Sequence, residues 1–297
     1  MAINLLIITP LWIGLKKFFS EGMDAVEGMP AFYYPFKTLL TSKEVKKIHI
    51  ILLIKRSVFG KLNLHIPNRF VKKLQVYPFY YSSKKDLFYT TPRIITTGFK
   101  IVKTCDIDLI GGYGSYGALA SLLSIITRIP NYRRLFGTFL YNEIKNQKWQ
   151  IFVKHPFSYM SFALPADLVI ITNDGTYGDK VFQKIGYKRA KFYYLLNGVN
   201  KDHDLISPRG ALKQDLKIPY MTYVARIDKW KRQDLAIHTL RYLIKDYGVK
   251  INLCIIGQIW DEDYFAHIKE LIKKYNLHSY VTIFTGLNHE EVIAIMK

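Results

Sequence analysis

The sequence predicts an α/β protein of two doubly wound domains, the second of them incomplete. Three observations carry this expectation. Short, near-continuous apolar runs at residues 3–9 and 48–54 read as strands buried on both faces of a parallel sheet. Segments of helical character alternate with such runs along the chain. With 297 residues, 49% of them hydrophobic and 15% aromatic, the chain can bury a large core and fill about two domains.

Between the first two strands, residues 31–47 form a crossover helix. Further strands are expected at 74–81, 107–110, 134–140, 168–172 and 192–196. Helices are expected at 92–103, 118–128 and 178–184, the last closed by Gly186 as a helix C-terminal glycine. Residues 201–217 are polar, contain Pro208 and Gly210 and have no apolar period, which marks an interdomain linker. The domains are therefore 1–200 and 219–297, joined by 201–218. In the second, 220–225 is a strand, and Leu235, Ala236, Ile237, Leu240, Leu243 and Ile244 form the apolar stripe of a helix stopping near Gly248. A strand at 251–256 follows, then a helix lined by Tyr264, Ile268, Leu271, Ile272 and Tyr275, then a strand at 281–284. Asn288, three residues before Glu291, is the expected N-cap of a last helix running to Lys297. Three strands, against about seven in the first domain, are the reason to expect an incomplete second domain.

Composition excludes several classes. No apolar stretch approaches the roughly 20 residues that cross a bilayer. Lys16 and Lys17 follow the first apolar run instead of preceding it, which argues against a secretory signal. Cys105 and Cys254, the only cysteines, suggest neither a disulfide framework nor a zinc site, and a reducing cytoplasm fits. Charge is uneven: residues 1–218 hold 32 Lys and Arg against 14 Asp and Glu, whereas 219–297 hold 11 against 9. Nucleic acid, an anionic membrane surface or a phosphate-bearing acceptor would each answer such a field. At 145–157, Trp149, Phe152 and Phe157 lie among Lys145, Lys148, Lys154 and His155, a mixture that suits an interfacial segment better than a groove reader. The expected partner is thus an anionic membrane surface, with no nucleic acid.

The strongest constellation runs from Val224 to Asp234. Arg226 and Lys231 leave the carboxyl end of a parallel strand beside a helix N-terminus, where free backbone N–H groups, the dipole's positive end and two cations favour a diphosphate. Ordinary surface charge on a βα loop is the competing reading. Gly112, Gly114 and Gly117 satisfy the glycine spacing of a dinucleotide fingerprint, but strands precede it and positions 130–142 lack an acid for the ribose. Asp106 with Asp108 and Asp261 with Asp263 read as structural, the second pair opening a helix. Asp202, His203 and Asp204 read as solvated linker.

In this stretch the chain resembles glycosyltransferase family 4, in which a strand ending Gly-Arg-Leu is followed by three variable residues and Lys-Gly. Arg226 and Lys231 match that spacing, with Ala225 and Arg232 in place of the two glycines. Asp108-Leu109-Ile110-Gly111, Ala166 to Ile170, and Leu196-Asn197-Gly198-Val199-Asn200 resemble the family's successive strands and its turn before the linker. Ile256-Gly257 and Phe284-Thr285-Gly286 resemble its later strand ends. The resemblance implies the GT-B fold of two Rossmann-like domains and transfer of a sugar from a nucleotide-sugar donor, with retention, to a polysaccharide or glycolipid acceptor in envelope glycan assembly. It implies that Arg226 and Lys231 hold the donor diphosphate. Gly257 and Gly286, at the similar strand ends, are expected to line the nucleotide-sugar cleft, and Gly112 and Gly114, read as a flexible turn, to line the acceptor cleft with Gly137. The resemblance also implies that no cofactor or metal is needed, and a cytoplasmic place, peripheral on the inner face of the membrane. The family's two glutamates separated by seven residues are expected beyond position 297, and Leu135-Phe136-Gly137-Thr138-Phe139 stands where many members carry a histidine. Catalytic residues therefore stay unassigned, and a non-catalytic remnant acting as a binding or membrane-associated protein is the alternative.

Overall fold

A computed structural model describes residues 2–24, 30–144, 148–198, 219–287 and 289–296. The chain divides into two compact units, Met1–Gly198 and Val199–Lys297. The expected linker at 201–218, with Asp202, His203 and Asp204, lies outside the described residues, as do Lys145 and Asn288.

The first unit is one seven-stranded sheet with every paired strand parallel. Its strands are β1 (Ile3–Pro10), β2 (Val45–Lys55), β3 (Leu74–Tyr81), β4 (Leu109–Tyr113), β5 (Asn131–Leu135), β6 (Leu168–Thr172) and β7 (Lys191–Leu195), in the order β3-β2-β1-β4-β5-β6-β7. Alternate residues of β1 serve two cores. Leu5 and Ile7 join Phe18, Phe36 and Leu52 on one face, while Leu6 and Ile8 join Ile51, Ile94 and Leu123 on the other. The edge strand β7 instead alternates exposed and half-buried positions. The helices are α1 (Lys16–Ser20), α2 (Pro30–Thr41), α3 (Arg56–Phe59), α4 (Lys84–Thr104), α5 (Gly117–Thr127), α6 (Leu140–Glu143), α7 (Lys148–Lys154), α8 (Pro156–Ala163) and α9 (Gly178–Ile185).

The second unit has strands β8 (Tyr220–Val224), β9 (Asn252–Ile256) and β10 (Val281–Phe284) in the parallel order β10-β9-β8. Its helices are α10 (Gln233–Tyr247), α11 (Glu262–Lys274) and α12 (His289–Met296). Ile237, Leu240, Ile255, Ile268 and Leu271 meet in its core. Gly248 closes α10 at a φ of 65°, and Asp261 caps α11 by accepting from the Tyr264 amide at 3.0 Å.

Several expectations are corrected. Residues 134–140 do not form a strand: β5 ends at Leu135, and Gly137 turns the chain at a φ of 83°. The strand expected at 107–110 is β4 at Leu109–Tyr113, because Asp106 takes a φ of 44° and the Asp108 carboxylate accepts from the Asn4 amide at 2.8 Å. The helix expected from Pro92 begins two turns earlier, where Ser83 caps α4. The helix α9 does close at Gly186, but at a φ of −72° and not in the left-handed region; a Cβ there would lie 2.4 Å from the Phe182 ring. Leu235 is exposed and outside the stripe of α10.

Arg133 on β5 is fully buried yet has no acidic partner among the described residues. Its guanidinium donates to the carbonyls of Met160, Ser161 and Leu164 at the end of α8, and burial holds its pKa down at about 10. Among the described residues no helix is long and apolar enough to cross a membrane, and no group of three or more His, Cys, Asp or Glu could hold a metal ion.

Candidate functional site

The loop from β8 to α10 carries both cations singled out in the sequence. After Val224 the chain stays paired to the loop that follows β9: Ala225 N–H donates to Ile256 at 2.9 Å and Ile227 N–H to Gln258 at 2.8 Å, while Trp260 N–H donates to Ile227 at 3.0 Å. Ile227 is wholly buried, which pins the middle of the loop. Arg226 and Lys231 then meet at one carboxylate. Asp228, 5% exposed, accepts from Arg226 Nε with one oxygen and from the Lys231 amide at 2.9 Å with the other. The Gln233 amide donates to the Arg226 carbonyl at 2.8 Å, and the Arg226 guanidinium lies 5.1 Å from the Trp260 ring centroid. Arg226 Nη1 and Nη2 and Lys231 Nζ have no partner among the described residues, so Arg226 is held at Nε and Lys231 by its backbone amide while both keep donors for a ligand.

The helix that follows is anchored by an acid of its own. Arg232 takes a φ of 59° and pairs with Asp234, Nε to Oδ1 and Nη2 to Oδ2 each at 3.0 Å; the Asp234 carboxylate also accepts from the Tyr264 hydroxyl at 2.7 Å. The hydrogen bond from Arg232 is the main reason its pKa falls to about 2. Arg232 is thereby engaged with Asp234, whereas Arg226 and Lys231 keep donors free.

Gly257 stands immediately after β9. A Cβ on it would lie 1.8 Å from the Ala225 carbonyl oxygen and 3.2 Å from Arg226 Cα, so the absence of a side chain lets the Arg226 backbone lie against β9. Gly286 follows β10 at a φ of 79° with open space where a Cβ would be. Both glycines sit past the carboxyl ends of their strands, in one sheet with Arg226.

Gly112, Gly114 and Gly137 belong to the first unit. Gly112 is not in a flexible turn: it is a buried residue of β4, and a Cβ on it would come 2.5 Å from Gly117 Cα. That glycine pair seats α5 directly on β4, a packing role. Gly114 opens a single 3₁₀ turn at a φ of 61°, against the Trp12 indole. Gly137 leaves room for Asp174, whose carboxylate a Cβ would strike at 2.1 Å. Trp12 stacks on Phe32 at 4.4 Å and meets Phe136 edge-on at 5.7 Å, which gathers Gly114 and the residue before Gly137 around one indole.

Sequence reasoning missed Asp228, Gln233 and Trp260. A carboxylate two residues after Arg226 and three before Lys231 is the right reach to hold both, and that spacing was the available signal. Trp260 had none, because its place beside Arg226 depends on the pairing of two loops.

Residues 208–297 match the family "glycosyl transferases group 1". No curated protein sequence matches the chain. Among solved structures, the chain is similar to HepE of Anabaena in complex with UDP-glucose, with a TM-score of 0.61 and 14% identity over 99% of this chain and 71% of that one. It is similar to sucrose-phosphate synthase of Thermosynechococcus elongatus at a TM-score of 0.64 and 15% identity, over 99% and 73%. A glycosyltransferase of Rickettsia africae gives 0.61 and 15%, over 99% and 70%. Residues 208–297 are therefore similar to glycosyl transferases group 1, and the chain has the fold of the GT-B glycosyltransferases.

Proposed function

We propose that this protein transfers a sugar from a nucleotide-sugar donor to a polysaccharide or glycolipid acceptor, with retention, in cell-envelope glycan biosynthesis. The observation that carries the reading is the pair Arg226 and Lys231, fastened through Asp228 at the carboxyl ends of parallel strands within the matched segment. Two such cations answer the charge that develops on a departing nucleoside diphosphate, which is electrostatic stabilisation of the transition state. In this reading residues 219–297 hold the donor, with Gly257 and Gly286 lining its cleft, and 201–218 link the domains. Residues 1–200 receive the acceptor near Gly114 and Gly137, with Gly112 supporting that edge from within β4. HepE was solved with UDP-glucose, which makes UDP-sugars the first donors to try. In this reading the enzyme is a cytoplasmic peripheral protein on the inner face of an anionic membrane, which the basic charge of the first unit supports. No metal takes part in the proposed reaction.

Titration with UDP and UDP-sugars, followed by turnover on a glycan acceptor, tests this. Losing either charge-assisted contact costs about 1.5–3 kcal/mol, so Arg226→Ala and Lys231→Ala should each weaken donor affinity or turnover about tenfold to a hundredfold. Unchanged affinity and turnover in both variants would remove the assignment.

A further inference from the structure

The first unit exposes two short aromatic faces that its core does not use. On α4, Lys85, Phe88 and Tyr89 follow the i, i+3, i+4 spacing that places them on one side of a helix; on α7, Trp149, Phe152 and Val153 do the same. The five apolar members are between 45% and 69% exposed. The opposite faces of the same helices carry Leu87, Ile94 and Ile151 in the core, so these rings stand on the outward side, where a helix packed on a core ordinarily carries polar residues.

The beginning of α4 and the α7–α8 junction are neighbours. Tyr81, just before α4, shares a hydrogen bond of 2.7 Å with Tyr116, whose ring lies 6.5 Å from Phe157 at the start of α8. Ser115 bonds Ser158 at 2.9 Å, so one turn fastens the beginning of α4 to the α7–α8 junction. Lys84 is close enough to His155, at that junction, to help lower its pKa, after the larger effect of burial. Phe139, also exposed, packs edge-on against His155 at 4.7 Å. Lys84, Lys85 and Arg93 lie on the same helix as Phe88 and Tyr89. The nearby acids are occupied: Asp86 accepts from the Ser82 amide at 2.7 Å, and Glu143 pairs with Lys154 at 3.6 Å.

We propose that the exposed faces of α4 and α7 together form the surface by which this protein docks on an anionic lipid bilayer. Rings of this kind seat at headgroup depth while lysines beside them meet lipid phosphates, and a positive unit strengthens both. The surface lies where the carboxyl ends of β3 and β5 lead into their helices, the edge of the sheet that also carries Trp12 and Gly114. A lipid-linked acceptor would then reach that edge without leaving the membrane plane. The inference rests on the membrane part of the function proposed above and adds the residues that make the contact.

Sedimentation of the full chain with vesicles tests it. The parent should bind vesicles containing phosphatidylglycerol and not vesicles of phosphatidylcholine alone. Lys84→Gln with Lys85→Gln should lower partitioning more than tenfold, about fivefold for each charge, and Phe88→Ser with Phe152→Ser should lower it by at least as much. Circular dichroism and the unfolding midpoint of the first unit should stay unchanged in both doubles, which shows that it folds. Tyr242→Ser with Tyr247→Ser, an exposed aromatic pair on the second unit, should bind vesicles like the parent. If the parent binds anionic vesicles and both first-unit doubles bind equally well, this surface is wrong although the membrane association stands. A parent that binds no anionic vesicle, or binds neutral ones as tightly, overturns both.

Discussion

Gly257→Ala tests the donor loop where its geometry is tightest. The added Cβ would sit 1.8 Å from the Ala225 carbonyl oxygen and 2.7 Å from its carbon, roughly 1.6 Å and 0.7 Å short of ordinary contact. Both obstacles are backbone, so no rotamer change relieves them. The two loops must part, and in parting they strain the bonds from Ala225 to Ile256 at 2.9 Å, from Ile227 to Gln258 at 2.8 Å and from Gly257 to Phe284 at 3.0 Å. Three backbone bonds at about 1 kcal/mol each, with about 1 kcal/mol for overpacking, give a loss of about 4 kcal/mol in this unit. Hydrogen exchange of peptides covering β8 and β9 reads that loss locally, without assuming that the two units unfold together. Since Arg226 follows Ala225 directly, UDP affinity should fall with it. A Gly257→Ala protein within about 1 kcal/mol of the parent in this region, binding UDP normally, would refute the close approach and the role it gives Gly257.

Other expectations concern the acids that support the same loop. Asp228→Asn keeps an oxygen for the Lys231 amide but removes the charge facing Arg226, which is 37% exposed; it should cost about 1 kcal/mol, against about 2 for Asp228→Ala, by urea unfolding of the second unit. Equal stability of both variants and the parent would show that the carboxylate holds neither partner. Asp234 titrates at about 2, below its ordinary 3.8, so its contribution is complete above that ordinary value and is lost as pH falls through 2. Asp234→Asn should be less stable than the parent by about 1 kcal/mol at pH 7, after allowance for solvent screening, and the gap should close between about pH 4 and pH 2. A gap independent of pH would exclude the Arg232 pairing as its source.

The alternation of apolar runs was enough to identify the layered α/β architecture, since strands such as β1 and β2 are buried on both faces and their central stretches, residues 5–8 and 50–54, are wholly apolar. It failed where burial is not apolar. β5 reads Asn-Tyr-Arg-Arg-Leu, and its inward positions include Asn131 and Arg133, which find hydrogen-bond partners inside the fold, although Arg133 Nε is left without one among the described residues. The glycines of residues 111–117 looked like a loop because glycine has two uses. Here two of them permit helix–strand contact and only Gly114 needs its φ. In the candidate site, Arg226 and Lys231 were legible because their spacing is local. Trp260 was not, since parallel pairing brings it beside Arg226 from 34 positions further along the chain.

Arg133 bears on how the segment between β5 and β6 is free to vary. That segment leaves the sheet at Leu135, makes three helices and returns at Leu168. Its far end is riveted to the strand it came from by a guanidinium bonded to three carbonyls, a fastening that asks nothing of the side chains at those positions except that the helix end there. The outward residues of α7 can therefore be exchanged, lengthened or recharged without disturbing the register of β5 against β6. A surface specialised for one membrane or acceptor can be rewritten on a fold that does not register the change.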